Sequence, residues 1–192
     1  WLQTDGAGLA IQLCDRLLQT VAATPNSAEF LAHQLPDIAA EFSVQWIAVV
    51  DRTTEWTVRA EFGRHQIGEL PLRLFNEALD REAAGLDKVE GGDGWSVAVV
   101  PIVVGAGRQT LLAVAGRRID TGALAGITAA GRAFAHALTL SERLERHSKQ
   151  NDRLRETLRV SSRLSEIYET VPLLETICEE ACRLLECDRA SI

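Results

Sequence analysis

Side chains able to attack, ligate or shuttle protons are few and scattered in this sequence. Four cysteines stand at Cys14, Cys178, Cys182 and Cys187, with none between Cys14 and Cys178. Cys178 and Cys182 lie four apart in an apolar helical pattern (Leu174, Ile177, Ala181, Leu185), so both fall on one helix face. A metal site there needs further ligands, and the nearest histidine in sequence is His147. These cysteines therefore read as reduced core thiols, which fits a cytoplasmic setting. Gly91-Gly92-Asp93-Gly94 is glycine-rich, yet it lacks the GxxxxGK(S/T) spacing of a phosphate loop and no helix follows it. No Ser-His-Asp or Cys-His arrangement can be placed. The sequence thus predicts no catalytic residue, no metal and no cofactor, and the chain itself is expected to be non-catalytic.

The composition narrows the class further. The 192 residues are 46% hydrophobic and 24% charged, the mixture of an ordinary globular chain. No apolar run approaches the roughly 18 residues of a membrane span, so no membrane partner is expected. Residues 1–119 carry 10 Lys+Arg against 15 Asp+Glu, and residues 120–192 carry 10 against 12. Both parts are mildly acidic, the wrong sign for a nucleic-acid binder. The first residues, Trp1 to Gly8, do not read as a secretory signal. The absence of Met predicts that the chain is a piece of a longer protein.

Any site must be positioned by the following elements. Leu9, Leu13, Leu17 and Val21 form a helical stripe over residues 9–23. Thr24 to Ser27 break it, with Ser27 as the expected N-cap of a second helix over 28–42. Pro36 inside that helix predicts a kink or a split. The period then changes to two. Residues 44–51 read as a buried strand. Residues 55–62 alternate, with Trp56, Val58, Ala60 and Phe62 on one face and Arg59 among the charged residues of the other, completing a hairpin. Pro71 opens a short helix with Leu72, Phe75 and Leu79 on its apolar side. Residues 86–90 make an edge strand. Residues 95–104 make an apolar strand whose Pro101 predicts an edge or a bulge, and residues 109–117 make the last strand. From Asp120 the pattern is helical, with Leu124, Ile127, Phe134 and Leu138 facing one way and several Gly and Ala permitting close approach.

Beyond Leu140 the helix becomes highly charged, with 10 charged residues among 141–159. Leu140, Leu144, His147, Asn151, Leu154 and Leu158 recur at spacings of 4, 3, 4, 3 and 4, the seam of a two-stranded coiled coil. Asn151 at a core position would fix register, and a buried His147 would be pH-sensitive. The seam predicts a homodimer through helices, which the stripe over 9–23 is expected to join. After Pro172 a new amphipathic helix runs over 173–185.

The order helix, helix, hairpin, short helix, strand, strand, long helix resembles a GAF domain. The likeness is carried by WSVAVVPIVVGAGRQTLLAVAGRRIDTGALAGITAAGRAFAHAL and by SAEFLAHQLPDIAAEFSVQWIAVVD, with Pro101 matching the family's strand-end proline. RLSEIYETVPLLETICEEACRLLECDRASI resembles the start of a second such domain. The implied fold is α+β, a GAF/PAS-like antiparallel sheet flanked by helices, with a long C-terminal signalling helix. The implied organisation is an N-terminal dimerisation helix (1–23), a GAF domain (24–140), a coiled-coil signalling helix (141–168) and the truncated start of a second GAF domain (169–192).

The family's bilin-binding members and its free methionine sulfoxide reductases need a cysteine in the domain body, which this chain lacks. The Asn-Lys…Phe…Asp-Glu motif of cyclic-GMP binders is not found. Transferred to this sequence, the family's small-molecule pocket points to Trp46, Phe75 and Trp95 as apolar walls and to Arg59 and His65 as polar candidates. Read from the residues alone, the aromatics are core and Arg59 lies on a solvated face. The resemblance implies a sensory and dimerisation module of a cytoplasmic signalling protein, a sensor histidine kinase above others. The alternatives are a ligand-free scaffold, or the regulatory part of a transcription regulator or a cyclic-nucleotide signalling enzyme.

Overall fold

A computed structural model describes residues 6–24, 26–64, 69–89, 94–104, 109–165, 170–184 and 189. The elements are α1 (Gly6–Ala23), α2 (Ser27–Glu41), β1 (Trp46–Arg52), β2 (Trp56–Gly63), α3 (Leu72–Asp80), β3 (Gly85–Lys88), β4 (Ser96–Val103), β5 (Gln109–Gly116), α4 (Thr121–Ser165) and α5 (Thr170–Leu184). Two units divide the chain, Trp1–Glu145 and Arg146–Ile192.

In the first unit, five strands form one antiparallel sheet in the order β2-β1-β5-β4-β3. Central β1 and β5 are buried almost throughout because both faces of the sheet are covered. Alternation sends Ile47, Val49, Val100, Leu112 and Val114 to one side, against α1, α2 and α4. It sends Trp46, Ala48, Val50, Val97, Val99, Leu111 and Ala113 to the other, beneath α3. On the three-helix side, Phe134 of α4 stacks on Phe30 of α2 with ring centroids 5.7 Å apart. Gly131 lets α4 approach the sheet closely: a Cβ there would stand 3.0 Å from Val100 Cγ1.

Several expectations are corrected. The α1 stripe is not free for a partner chain, since Leu13, Leu17 and Val21 are buried in the domain's own core. An amphipathic pattern declares that a face will be covered, not by what. Asn26, not Ser27, caps α2, its side chain accepting the Glu29 N–H at 2.9 Å. α2 runs through Pro36 without a break in the helix. α3 buries Leu74, Phe75 and Ala78, while Leu72 is exposed.

The alternation of β2 also fails at one point. Val49 pairs with Ala60 and Val50 with Val58, so Arg59 is the extra residue of a β-bulge. Trp56 therefore packs on the α3 side and Ala60 on the three-helix side. β2 ends at Gly63, whose φ of +87° and lack of a Cβ are both required, because a Cβ would lie 2.1 Å from the Gln45 carbonyl oxygen. Pro101 sits in β4 with no register shift against β5, beyond the last β3 partner at Val99, where among the described residues β4 has a neighbour on one side only.

In the second unit, α4 and α5 are joined by charge. Glu180 is only 3% exposed. It accepts from Arg159 at 3.0 Å, from Arg183 at 2.9 Å, and from Arg163. Glu156 pairs with Arg159 at 3.0 Å and with Arg183. Cys178 and Cys182 are half-buried, not core. α5 starts at Thr170, which places Pro172 in its first turn, where a missing N–H costs nothing.

Phe134→Ala should cost about 3–5 kcal/mol of stability, because it empties the stack on Phe30 at a fully buried position. Denaturant unfolding of the variant checks this. A loss below about 1 kcal/mol would show that α4 does not anchor on the sheet through this ring.

Candidate functional site

Three of the five pocket candidates come together. Trp46, Phe75 and Trp95 belong to one buried cluster between the sheet and α3. They get there by simple geometry: Trp46 opens β1, Trp95 immediately precedes β4, and Phe75 lies on the inner face of α3. Trp56 closes the cluster edge-on against Phe75, with centroids 5.2 Å apart, and donates its indole N–H to Asn76 Oδ1 at 3.3 Å. Trp46 donates its own N–H to Glu61 Oε2 at 2.9 Å. Trp95 Nε1 is buried and has no acceptor among the described residues. An unsatisfied buried donor costs about 1–3 kcal/mol, and a ligand oxygen reaching it would recover that loss.

Arg59 is not part of this cluster. With Trp56 on the α3 side, strand alternation puts Arg59 on the three-helix side, where it lines a groove of about 460 Å³ between α2 and β2. There its guanidinium pairs with Glu142 of α4 at 2.6 Å and approaches the Ser27 hydroxyl at 3.4 Å. Ser27 in turn donates to Glu145 from its hydroxyl at 2.9 Å and from its backbone N–H at 3.1 Å. Arg59 and Glu142 are mostly covered, with side chains 20% and 13% exposed, so the expected solvated face is corrected. One set of contacts thus ties α2, β2 and α4 together at the point where the charged part of α4 begins. Sequence reasoning missed this set. No sequence signal marked it, because Arg59 falls in phase with the charged positions of a cleanly alternating strand. His65 lies outside the described residues.

The seam residues are solvent-facing on the single chain. Leu140, Leu144, Leu154 and Leu158 are 38%, 48%, 54% and 67% exposed. His147 and Asn151 are exposed as well. Among the described residues, no group of three or more His, Cys, Asp or Glu side chains is placed to hold a metal ion. No described helix is long and apolar enough to cross a membrane.

This architecture is that of a GAF domain, an α+β fold with a five-stranded antiparallel sheet, flanking helices and a long C-terminal helix. The solved free methionine-R-sulfoxide reductase of Neisseria meningitidis, in complex with its substrate, superposes with a TM-score of 0.58 at 14% identity, covering 77% of this chain and 96% of that one. The GAF domain of a phosphoenolpyruvate-protein phosphotransferase from Coxiella burnetii gives 0.54 at 13% identity, covering 77% and 99%. The phycoerythrobilin-bound GAF domain of a cyanobacterial phytochrome gives 0.53 at 11% identity, covering 69% and 95%. No protein-family model and no curated protein matches the sequence. At these identities the likeness defines the fold, and the fold hosts both a reductase and a phycoerythrobilin-bound domain, so the fold alone does not fix a function.

A double-mutant cycle on Arg59→Ala and Glu142→Ala should return a coupling of about 1–2 kcal/mol in unfolding free energy, less than for a fully buried pair because both side chains keep some water. Strict additivity of the two substitutions would show that the pair does not bind β2 to α4.

Proposed function

We propose that this chain is a sensory and dimerisation module of a cytoplasmic signal-transduction protein, a sensor histidine kinase above others, which passes the state of its GAF domain along α4. One observation carries the reading. α4 is a single helix of 45 residues. Ile127, Phe134 and Leu138 are fixed in the domain core, whereas Leu144, Leu154 and Leu158 recur at seam spacing and stand about half exposed or more. A helix shared in this way can report a change in domain packing through a change in how two copies pair. On this reading residues 141–168 pair as a coiled coil, residues 169–192 begin a second GAF domain, and the output function belongs to a neighbouring part of the protein.

A non-catalytic role is supported by the sequence between Cys14 and Cys178, which offers no thiol for the chemistry that the family's reductases and bilin-binding members perform. The unsatisfied Trp95 N–H supports a small-molecule ligand on the α3 side of the sheet. The alternative, a ligand-free scaffold, is favoured by the complete burial of Trp46 and Phe75, which fill that side with the protein's own rings.

Light scattering across a hundredfold range of concentration should report a dimer. A monomer throughout would remove the proposal. Asn151→Leu should raise the melting temperature of that dimer and broaden its oligomeric state, because a buried Asn lowers stability while fixing register. Unchanged melting with an unchanged dimer would place Asn151 outside any seam.

A further inference from the structure

We infer that the cleft between β4, the turn after α3, and α4 binds a zwitterionic small molecule with an apolar body, the chemistry shared by aliphatic amino acids and short peptides. The cleft measures about 650 Å³, within the usual range for small-molecule sites. It exists because β3 is short. The β3 pairing ends at Val99, and among the described residues no strand pairs with the following residues of β4 on that side. Val100 and Ile102 give the cleft an apolar floor, and Pro101 brings no N–H with which to recruit another strand. What remains is a space open to a small ligand.

Its charges come from two walls. On α4, Arg132 and His136 stand four residues apart on one helix face and are both exposed. Neither has a hydrogen bond or an ion pair among the described residues, so the Arg132 fork is uncommitted and matches a carboxylate in two-pronged geometry. From the other wall, the turn after α3 presents Glu82, whose carboxylate also has no partner among the described residues. Glu82 occupies a left-handed position, φ 48°. It is held there by its own N–H to the Leu79 carbonyl at 3.1 Å and by the Ala83 N–H to the Ala78 carbonyl at 3.1 Å. This is the helix-ending position that glycine ordinarily fills, because a side chain is strained there. A strained glutamate facing an uncommitted arginine across an apolar floor suits a ligand with its ammonium toward Glu82 and its carboxylate toward Arg132. The site lies on the three-helix side of β4 and at its edge; none of Trp46, Phe75 and Trp95 lines it, and Leu79 stands between it and their cluster.

Isothermal titration of the whole 192-residue chain with L-leucine and with L-leucyl-L-leucine tests the assignment and separates the two sources. At least one should bind with millimolar affinity or better. N-acetyl-leucyl-leucine, without the ammonium, and leucyl-leucine amide, without the carboxylate, should each bind at least tenfold more weakly. Arg132→Ala should weaken the zwitterion at least tenfold. Glu82→Gly should do the same while melting at or above the parent chain, so that lost binding reads the carboxylate and not unfolding. No binding of either zwitterion, equal binding of the blocked forms, or unchanged affinity in both variants would overturn the assignment. Light scattering reads the dimer and calorimetry reads the cleft, so this inference and the relay stand or fall separately.

Discussion

The seat of α4 on the sheet governs most of what this molecule can do. Phe134 on Phe30, Ile127 and Leu138 in the same core, and Gly131 drawn against Val100 fix both the depth and the rotation of the helix. Each buried ring or branched chain contributes about 1.5–3 kcal/mol, enough together to make the helix an integral layer of the domain. With that seat set, the rest of α4 follows by helical geometry. Arg132 and His136 meet the open end of β4. Ten residues beyond Arg132, about 15 Å along the axis, Glu142 meets Arg59. One helix thus lines the β4 cleft at one level and holds the Arg59 ion pair at another.

The two charged networks have different work. Arg59 with Glu142, and Ser27 with Glu145, fasten α4 to β2 and to the start of α2. Partly covered ion pairs add little net stability, since desolvation offsets most of the attraction, but breaking one strands a charge. Their effect is to make one rotation of α4 preferable to its neighbours. Glu180 with three arginines does the same within the second unit, selecting how α5 lies against α4 in place of a deep apolar contact.

The sheet separates two kinds of cavity chemistry. Its α3 side is aromatic and nearly filled, with a single unsatisfied indole N–H among the groups described there. Its other side, at the bare end of β4, is open and charged. The separation is a direct outcome of strand alternation, and in β2 the bulge at Arg59 shifts the residues after it, so that Ala60 faces the opposite side from Trp56.

By itself, the sequence determined the order and kind of the elements, because hydrophobic periods of 3.6 and 2 are local properties. It determined that Trp46, Phe75 and Trp95 are inward residues and that the later leucines of α4 form a stripe. It could not decide what covers a stripe: the α1 stripe closed onto its own core, while the Leu140 to Leu158 stripe stayed open to solvent. Nor could it reveal that Arg59 sits in a bulge, that Glu142 is its partner 83 positions along the chain, or that Glu82, Arg132 and β4 enclose one cleft. Those are long-range pairings. They depend on where the backbone of one element comes to rest against another, and no short window of residues encodes that.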